Sequence, residues 1–328
     1  MVLLTSLGFG CAANAELRIN GFANLVGGMT SSDDALYGYD DSFSFKSESS
    51  FALQVSGDIN DKMTATGQII ARGKDDYDAE FEWAYFTFNA TDHVSISAGR
   101  LRLPLFKYSA SNDVGYSYHW VNTPRSIYDV PFNNLDGIRV DYSNYVGDWE
   151  YNAQLAVGTF EGVNDLGDVE GKNVIVGTAE VQREWFKARI VAGRGSVTLN
   201  NENVDEVTNA LAGISPVLAN DVALDDDTGV FLGLGLEADF YDWFISGELT
   251  SIDVEDSFSP EDVAYHVTAG MRFGKFTPSI TYENFDGRGD FRFLDQVAAL
   301  PEALQPAATA AVVGLQQAVV DEYEVVTL

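Results

Sequence analysis

Few side chains in this chain have a type and spacing suited to covalent chemistry. Its three histidines, His93, His119 and His266, show no metal-ligand spacing. Its one cysteine, Cys11, permits neither a disulfide framework nor a cysteine-based zinc site. There is no G-x-S-x-G and no phosphate-binding glycine loop. His119 lies beside Tyr118 and near Ser117, a proximity that matches no motif. No catalytic residue is assigned, and the chain reads as a non-enzyme. What it holds in quantity is charge: 50 acidic against 19 basic residues, a formal net charge of −31 over 328 residues. Nucleic acid is excluded as a partner, because phosphate binding needs a basic surface. The chemistry open to such a chain is electrostatic, carried out by charges held at fixed places on a scaffold.

The scaffold is legible as strands. The chain is rich in glycine (30), Phe (21) and Tyr (15) and poor in proline (8), a composition that favours an all-β protein. Period-two alternation runs through most of it. Phe51, Leu53 and Val55 oppose Ala52, Gln54 and Ser56. Val230, Leu232, Leu234 and Leu236 oppose Phe231, Gly233, Gly235 and Glu237. Each stretch is near the ten residues of a tilted membrane strand. Connections alternate in length. Those at 60–62, 90–93, 144–148, 184–185, 240–242 and 274–275 are tiny. Those at 31–41, 103–137, 159–173, 199–227, 253–263 and 286–321 are long and polar, with 73–78 the one short member. Short turns at one end and long loops at the other mark a transmembrane antiparallel β-barrel of the bacterial outer membrane, loops outward. Aromatics near both ends (Phe43, Phe45 and Phe81; Trp149, Trp185 and Trp243) suit interfacial girdles, although strands favour aromatics in any case. The run 297–320 contains Glu302, Pro301 and Pro306, so it reads as a helical insert in a loop and not as a membrane helix.

Residues 1–15 read as a signal peptide lacking its basic start, with an apolar run and an A-x-A-like end at Ala13-Asn14-Ala15. Cleavage would leave Glu16 first and a barrel domain over 16–328. A lipidated Cys11 fits less well, because Gly8-Phe9-Gly10 lacks the leucine expected before it.

The alternation turns Arg18, Lys46, Arg72, Arg139, Lys187, Arg189 and Arg272 inward. It does the same for the acids Glu48, Glu80, Glu82, Asp141, Glu150, Glu180, Glu237, Glu248 and Glu283. A charge facing lipid costs about 2–4 kcal/mol at the midplane, so these should face water. For any single residue the plain reading is solvation of a wide lumen. The loops are acidic: 31–41 carries Asp33, Asp34, Asp40 and Asp41, and 199–227 carries seven acids, including Asp225, Asp226 and Asp227, with no basic residue in either. The plain reading is a solvated surface. The sharper one is surface Ca2+ or Mg2+ bridging Asp225, Asp226 and Asp227 to lipopolysaccharide. No EF-hand fits, since Val230 and Leu236 occupy its sixth and twelfth positions from Asp225. No other cofactor is expected.

Strand and loop order then carry a resemblance. The fifth strand, Val94 to Leu101, ends in Gly99-Arg100-Leu101 and is followed by the long segment 102–137. That segment leads into Asn133-Asn134-Leu135-Asp136-Gly137-Ile138-Arg139. The chain resembles the general porins of Gram-negative bacteria over its mature length. The resemblance implies a homotrimer of 16-stranded barrels, about 14 strands being present here, with the last two beyond a C-terminus that lacks the family's terminal aromatic. It implies a third loop folded into the lumen and a pore passing small hydrophilic solutes. At the constriction, Arg18, Lys46, Arg72 and Arg100 on the wall would face Asp113, Asp129 and Asp136 on the loop. Strand parity points Arg100 outward unless a bulge intervenes near Gly99. The excess of inward acids predicts weak cation preference, rising on Arg72→Glu and falling on Asp113→Lys. Two alternatives stand beside this: a substrate-selective channel in which Tyr116, Tyr118 and Trp120, beside His119, stack a sugar or organic acid, and a plugged barrel whose loops serve as a receptor.

Overall fold

A strand that is apolar on one side must place that side against something other than water, and this constraint organises the whole chain. The computed structural model describes residues 16–31, 38–164, 166–287, 289 and 291–328. The expected leader, 1–15, and the loop acids Asp33 and Asp34 lie outside these residues. The strands are β1 (Leu17–Asn24), β2 (Ser50–Asn60), β3 (Met63–Arg72), β4 (Ala79–Asn89), β5 (Val94–Arg102), β6 (Asn134–Val146) and β7 (Trp149–Asn164). They continue as β8 (Gly167–Arg183), β9 (Phe186–Asn200), β10 (Asp227–Phe240), β11 (Trp243–Val254), β12 (Asp262–Met271), β13 (Ser279–Asp286) and β14 (Glu322–Thr327). Each pairs antiparallel with its sequence neighbours, giving one 14-stranded sheet in the order β1 to β14. Among the described residues β1 pairs with β2 alone and β14 with β13 alone, so the sheet is not closed on itself.

The exposed face is the apolar one. Phe51 and Leu53 are 51% and 52% exposed, and Phe86, Leu155, Leu232, Leu234 and Ile245 are exposed with them. The opposite face carries paired polar groups: Ser56 and Thr66 at 3.0 Å, Thr87 and Ser97 at 2.9 Å, Thr268 and Thr281 at 2.8 Å. This is inverted from a water-soluble sheet and suits a lipid exterior. Among the described residues no helix is long and apolar enough to cross a membrane.

Helices occur in the long connections. Between β9 and β10 lie α2 (Glu202–Ala212), capped by the Asn201 side chain, and α3 (Pro216–Val222), capped by Ser215. Between β13 and β14 lie α4 (Leu294–Ala298) and α5 (Gln305–Val319), where the sequence placed a helical insert. α5 packs on α2. Leu211, Val222, Ala308 and Val312 are fully buried there. With Phe258 they form a cap over the loop end, whose core runs on into inward-facing Val174, Val176, Val191 and Phe231.

The connection after β5 runs from 103 to 133 and includes α1 (Arg125–Tyr128). It is shorter than the 102–137 expected from sequence, because the ladder already pairs Arg102 with Asn134. A hydrogen bond from Leu103 N–H to the Asn133 carbonyl closes its neck at 2.9 Å. Side chains of β1, β3, β9, β10, β11 and β13 all touch this segment. The sheet therefore wraps around it.

Candidate functional site

The third connection is fastened at two ends by different chemistry. On the β3–β5 side the fastening is ionic. In β4 the register with β3 slips by one residue: Gln68 pairs with Trp83 and Ile69 with Phe81, leaving Glu82 as the bulged residue. A bulge re-aims a side chain, and Glu82 is 3% exposed. Its carboxylate accepts from Arg72 Nη2 at 2.6 Å and Asn134 Nδ2 at 3.1 Å, and lies 3.0 Å from Arg102 Nη1. The loop supplies the second acid. Asp113 accepts from Arg72 at 2.9 Å and is paired with Arg102. Arg72 also reaches Glu80 at 2.5 Å. The Arg102 guanidinium lies 5.3 Å from the Trp83 ring centre. Asn24 of β1 then clasps the loop backbone, donating to the Asp113 carbonyl at 2.7 Å and accepting from Gly115 N–H at 3.2 Å. Burial alone would raise the Asp113 carboxyl, but the guanidiniums of Arg102 and Arg72 outweigh it and hold the group below its ordinary value.

On the β9–β13 side the fastening is apolar, with hydrogen bonds beneath. Phe106 meets Phe231 edge-on at 5.7 Å. Glu248, inside the wall, accepts from Lys107 N–H at 2.9 Å and from the Tyr128 hydroxyl, and His266 Nε2 lies 3.5 Å away. The Lys107 ammonium contacts Glu237. Arg189 donates to the carbonyls of Leu105 and Pro104 at 2.8 and 2.6 Å. Ser126 bonds Glu283 at 3.2 Å, and Trp120 Nε1 donates to Thr281 at 2.7 Å.

Of the residues expected at a constriction, the structure brings Arg72 and Asp113 together. Arg18 is instead paired with exposed Asp58 at 2.6 Å, near the short turn after β2. Lys46 is paired with Asp76 at the loop rim. Asp129 is paired with Arg125 in the next turn of the loop, at 2.6 Å. Asp136 lies in β6, facing Arg100 across the ladder at 3.8 Å. Neither β4–β5 nor β5–β6 pairing slips at Gly99, so Arg100 keeps the parity of Ile96 and Ala98 on the outer face. Gly99 answers a different need: at φ 133° its missing Cβ would sit 2.3 Å from the Ala84 carbonyl oxygen. The bulge lies one strand away, at Glu82. Arg102, which sequence reasoning did not select, takes the place expected of Arg100. Its only sequence signal is a second arginine two residues on.

The proposed stacking residues have different surroundings. Tyr116 is 82% exposed. Tyr118 and Trp120 lie 5.9 Å apart and both pack edge-on against Tyr108, at 5.9 and 5.6 Å, so their rings serve to stiffen the loop. Burial pushes the Tyr108 and Tyr118 hydroxyls up to about 12. At Asp225, Asp226 and Asp227 the carboxylates do not converge: Asp227 accepts from the Asp225 backbone at 3.0 Å, and Asp226 N–H bonds Thr198 at 3.0 Å. Among the described residues no three His, Cys, Asp or Glu side chains could share a metal ion.

No family model matches the sequence, and no curated protein does. Among solved structures the chain is similar to a loop L8 deletion mutant of OmpT, an outer membrane protein of Vibrio cholerae, with a TM-score of 0.50 and 14% identity over 82% of each chain. It is similar to OmpF of Salmonella typhi in complex with daunomycin, with a TM-score of 0.48 and 13% identity over 83% of this chain and 78% of that one. An anion-selective porin from Comamonas acidovorans matches with a TM-score of 0.42 and 11% identity over 83% of this chain and 90% of that one. The first of these likenesses gives the chain the fold of a bacterial outer-membrane β-barrel protein.

Proposed function

We propose that this chain is an outer-membrane porin through which small hydrophilic solutes and ions diffuse passively, with the segment 103–133 setting the narrow point. One observation carries the reading: a single connection is enclosed by the sheet and tied to both sides of it, by Asp113 to Arg72 and Arg102 and by Lys107 and Tyr128 to Glu248. A loop so placed narrows a lumen without sealing it. On its short-turn side lies a cavity of 480 Å³ lined by Arg102, Lys107, Arg139, Asp141, Glu180 and Arg189, a surface suited to water and ions. The exposed apolar outer face supports residence in the outer membrane, loops outward. Small outward residues on β1 and β3 (Gly21, Ala23, Ala65, Gly67 and Ala71) offer a flat face for packing in a homotrimer. Inward acids outnumber inward bases, which favours weak cation preference. Physiological salt screens over about 8 Å, so only charges at the narrow point act strongly.

Reconstitution into planar bilayers tests this. A discrete conductance is expected, with a reversal potential in a salt gradient that becomes more cation-selective in Arg72→Glu and less so in Asp113→Lys. A folded protein with no conductance overturns the reading. It would favour a barrel whose upper lumen is filled by the apolar cap of α2, α3 and α5 and whose loops serve as a receptor, the second reading that the continuous core from Phe231 to Val312 supports.

A further inference from the structure

The inner wall of a water-filled barrel is polar, yet at the loop end of β8 to β10 it is built from Val174, Val176, Val197 and Phe231. Against this wall lies a cavity of 640 Å³, within the range of about 300–1,000 Å³ typical of small-molecule sites. Leu103 and Phe132 of the connection 103–133 line its other side, with Phe258 from the connection after β11. Val163, which is 71% exposed, also lines it, so the cavity opens on the loop side.

Shape and one polar group narrow what fits. Methyl groups of Val176, Val174 and Val197 lie 2.7–3.1 Å from where a Cβ would stand on Gly193, Gly195 and Gly229, so this stretch of wall carries no projecting side chain. Phe132 and Phe160, stacked at 4.4 Å, add flat ring faces. The polar group is the Thr250 hydroxyl. Thr250 is 6% exposed, lies on the inward face of β11 between Glu248 and Ile252, and lines the cavity. Among the described residues its hydroxyl has no hydrogen-bond partner. Charge does not select a guest, because both signs are present: Lys74, Arg125 and Arg194 against Asp129 and Asp262. Arg125 and Asp129 pair at 2.6 Å, and Lys74 and Arg194 are exposed.

We infer that this cavity binds an uncharged, planar aromatic molecule bearing one hydrogen-bonding group, its rings against the smooth wall and that group at the Thr250 hydroxyl. A hydroxyl both donates and accepts, so a phenol or an indole N–H satisfies Thr250 where an unsubstituted hydrocarbon leaves it unpaired. A charged guest loses its hydration against the apolar walls and finds no counter-charge of its own. Flat rings match the low relief of the wall and the faces of Phe132 and Phe160 better than a flexible chain does. The site is separate from the narrow point and does not depend on conduction through it.

The test is titration calorimetry of the full chain, folded in micelles with an uncharged headgroup, against 2-naphthol at pH 7, with the heat of titrating protein-free micelles subtracted. Naphthalene and sodium 2-naphthalenesulfonate serve as comparators that lack the hydroxyl or carry a charge. Saturable one-to-one binding of 2-naphthol is expected, about fivefold weaker in Thr250→Val. Naphthalene should bind wild type about fivefold more weakly than 2-naphthol does, and wild type and Thr250→Val equally. Ala264→Phe, beside Thr250 across the β11–β12 ladder, fills the cavity and should abolish binding; Thr250→Val alone remains decisive if that variant misfolds. No saturable binding of 2-naphthol, equal affinity for it in wild type and Thr250→Val, or equal or tighter binding of the sulfonate overturns the inference. Because heat and not current is read, a barrel that fails to conduct can still bind, and the two proposals fail separately.

Discussion

The two ends of the loop 103–133 solve one problem in opposite ways. At β3–β5, Arg72 and Arg102 alternate with Glu82 and Asp113, so four charges share a small space and cancel. At β8–β13, Phe106 and Tyr128 press on Phe231 and its aliphatic neighbours, with Glu248 and Glu283 accepting from the loop backbone at Lys107 and Ser126. Desolvation explains the difference. An ionic clamp tolerates water beside it and leaves room for an aqueous path, whereas an apolar clamp excludes water and fills the space it occupies. The loop is thus held by charge at one end and by apolar packing at the other.

Four measurements break or sharpen this division. Phe231→Ala should have the largest effect, lowering stability by about 3–5 kcal/mol by leaving a cavity in the packed side, read from the denaturant midpoint of the micelle-folded protein. A loss no greater than that of an exposed control such as Tyr116→Ala would mean that the packed side does not hold the loop. Glu82→Gln comes next. It keeps the shape but removes the charge that two guanidiniums share, and should cost about 2–3 kcal/mol. An unchanged midpoint would make the ionic clamp ornamental.

Acid should act on the ionic side through Asp113. Its folded-state pKa lies below the ordinary 3.8, so the unfolded chain binds the proton more readily. The stability it contributes is complete above that ordinary value and is lost as pH falls through the lower, folded one. A denaturation series from pH 7 to pH 3 should show a wild-type decline that is smaller in Asp113→Asn. Equal slopes would remove Asp113 from the clamp. The smallest effects should come from Arg18→Gln and Arg100→Gln, which should leave the reversal potential where it was, since one residue pairs near a short turn and the other on the outer face.

Alternation and connection length made the sheet readable from sequence, because both follow from a wall with lipid outside and polar groups inside. Arg72 and Asp113 were legible for the same reason: one is inward by parity, the other lies on a loop long enough to reach it. Arg102 was not, because alternation gives it the same parity as Arg100, and its partner Glu82 is brought to it by a bulge in β4 that nothing in Glu80-Phe81-Glu82-Trp83 announces. Parity did point Arg100 outward, and the ladder agrees. The helices of 201–222 could have been found from Asn201 and from Ser215-Pro216, both good starts for a helix. The packed side was harder to read. Val174, Val176 and Phe231 alternate like any other strand residues, and which of them faces water depends on a loop distant in sequence.

The order of the sheet has a consequence for assembly in time. Every strand pairs with its immediate neighbour, so each hairpin can form as soon as its own turn closes, at small entropic cost. The clamp on Glu248 joins residues 141 positions apart and has nothing to grip until β11 has curled round to meet it. The sheet should therefore form first and the loop seat last, and damage at Glu248 should hasten unfolding while leaving the folding rate nearly unchanged.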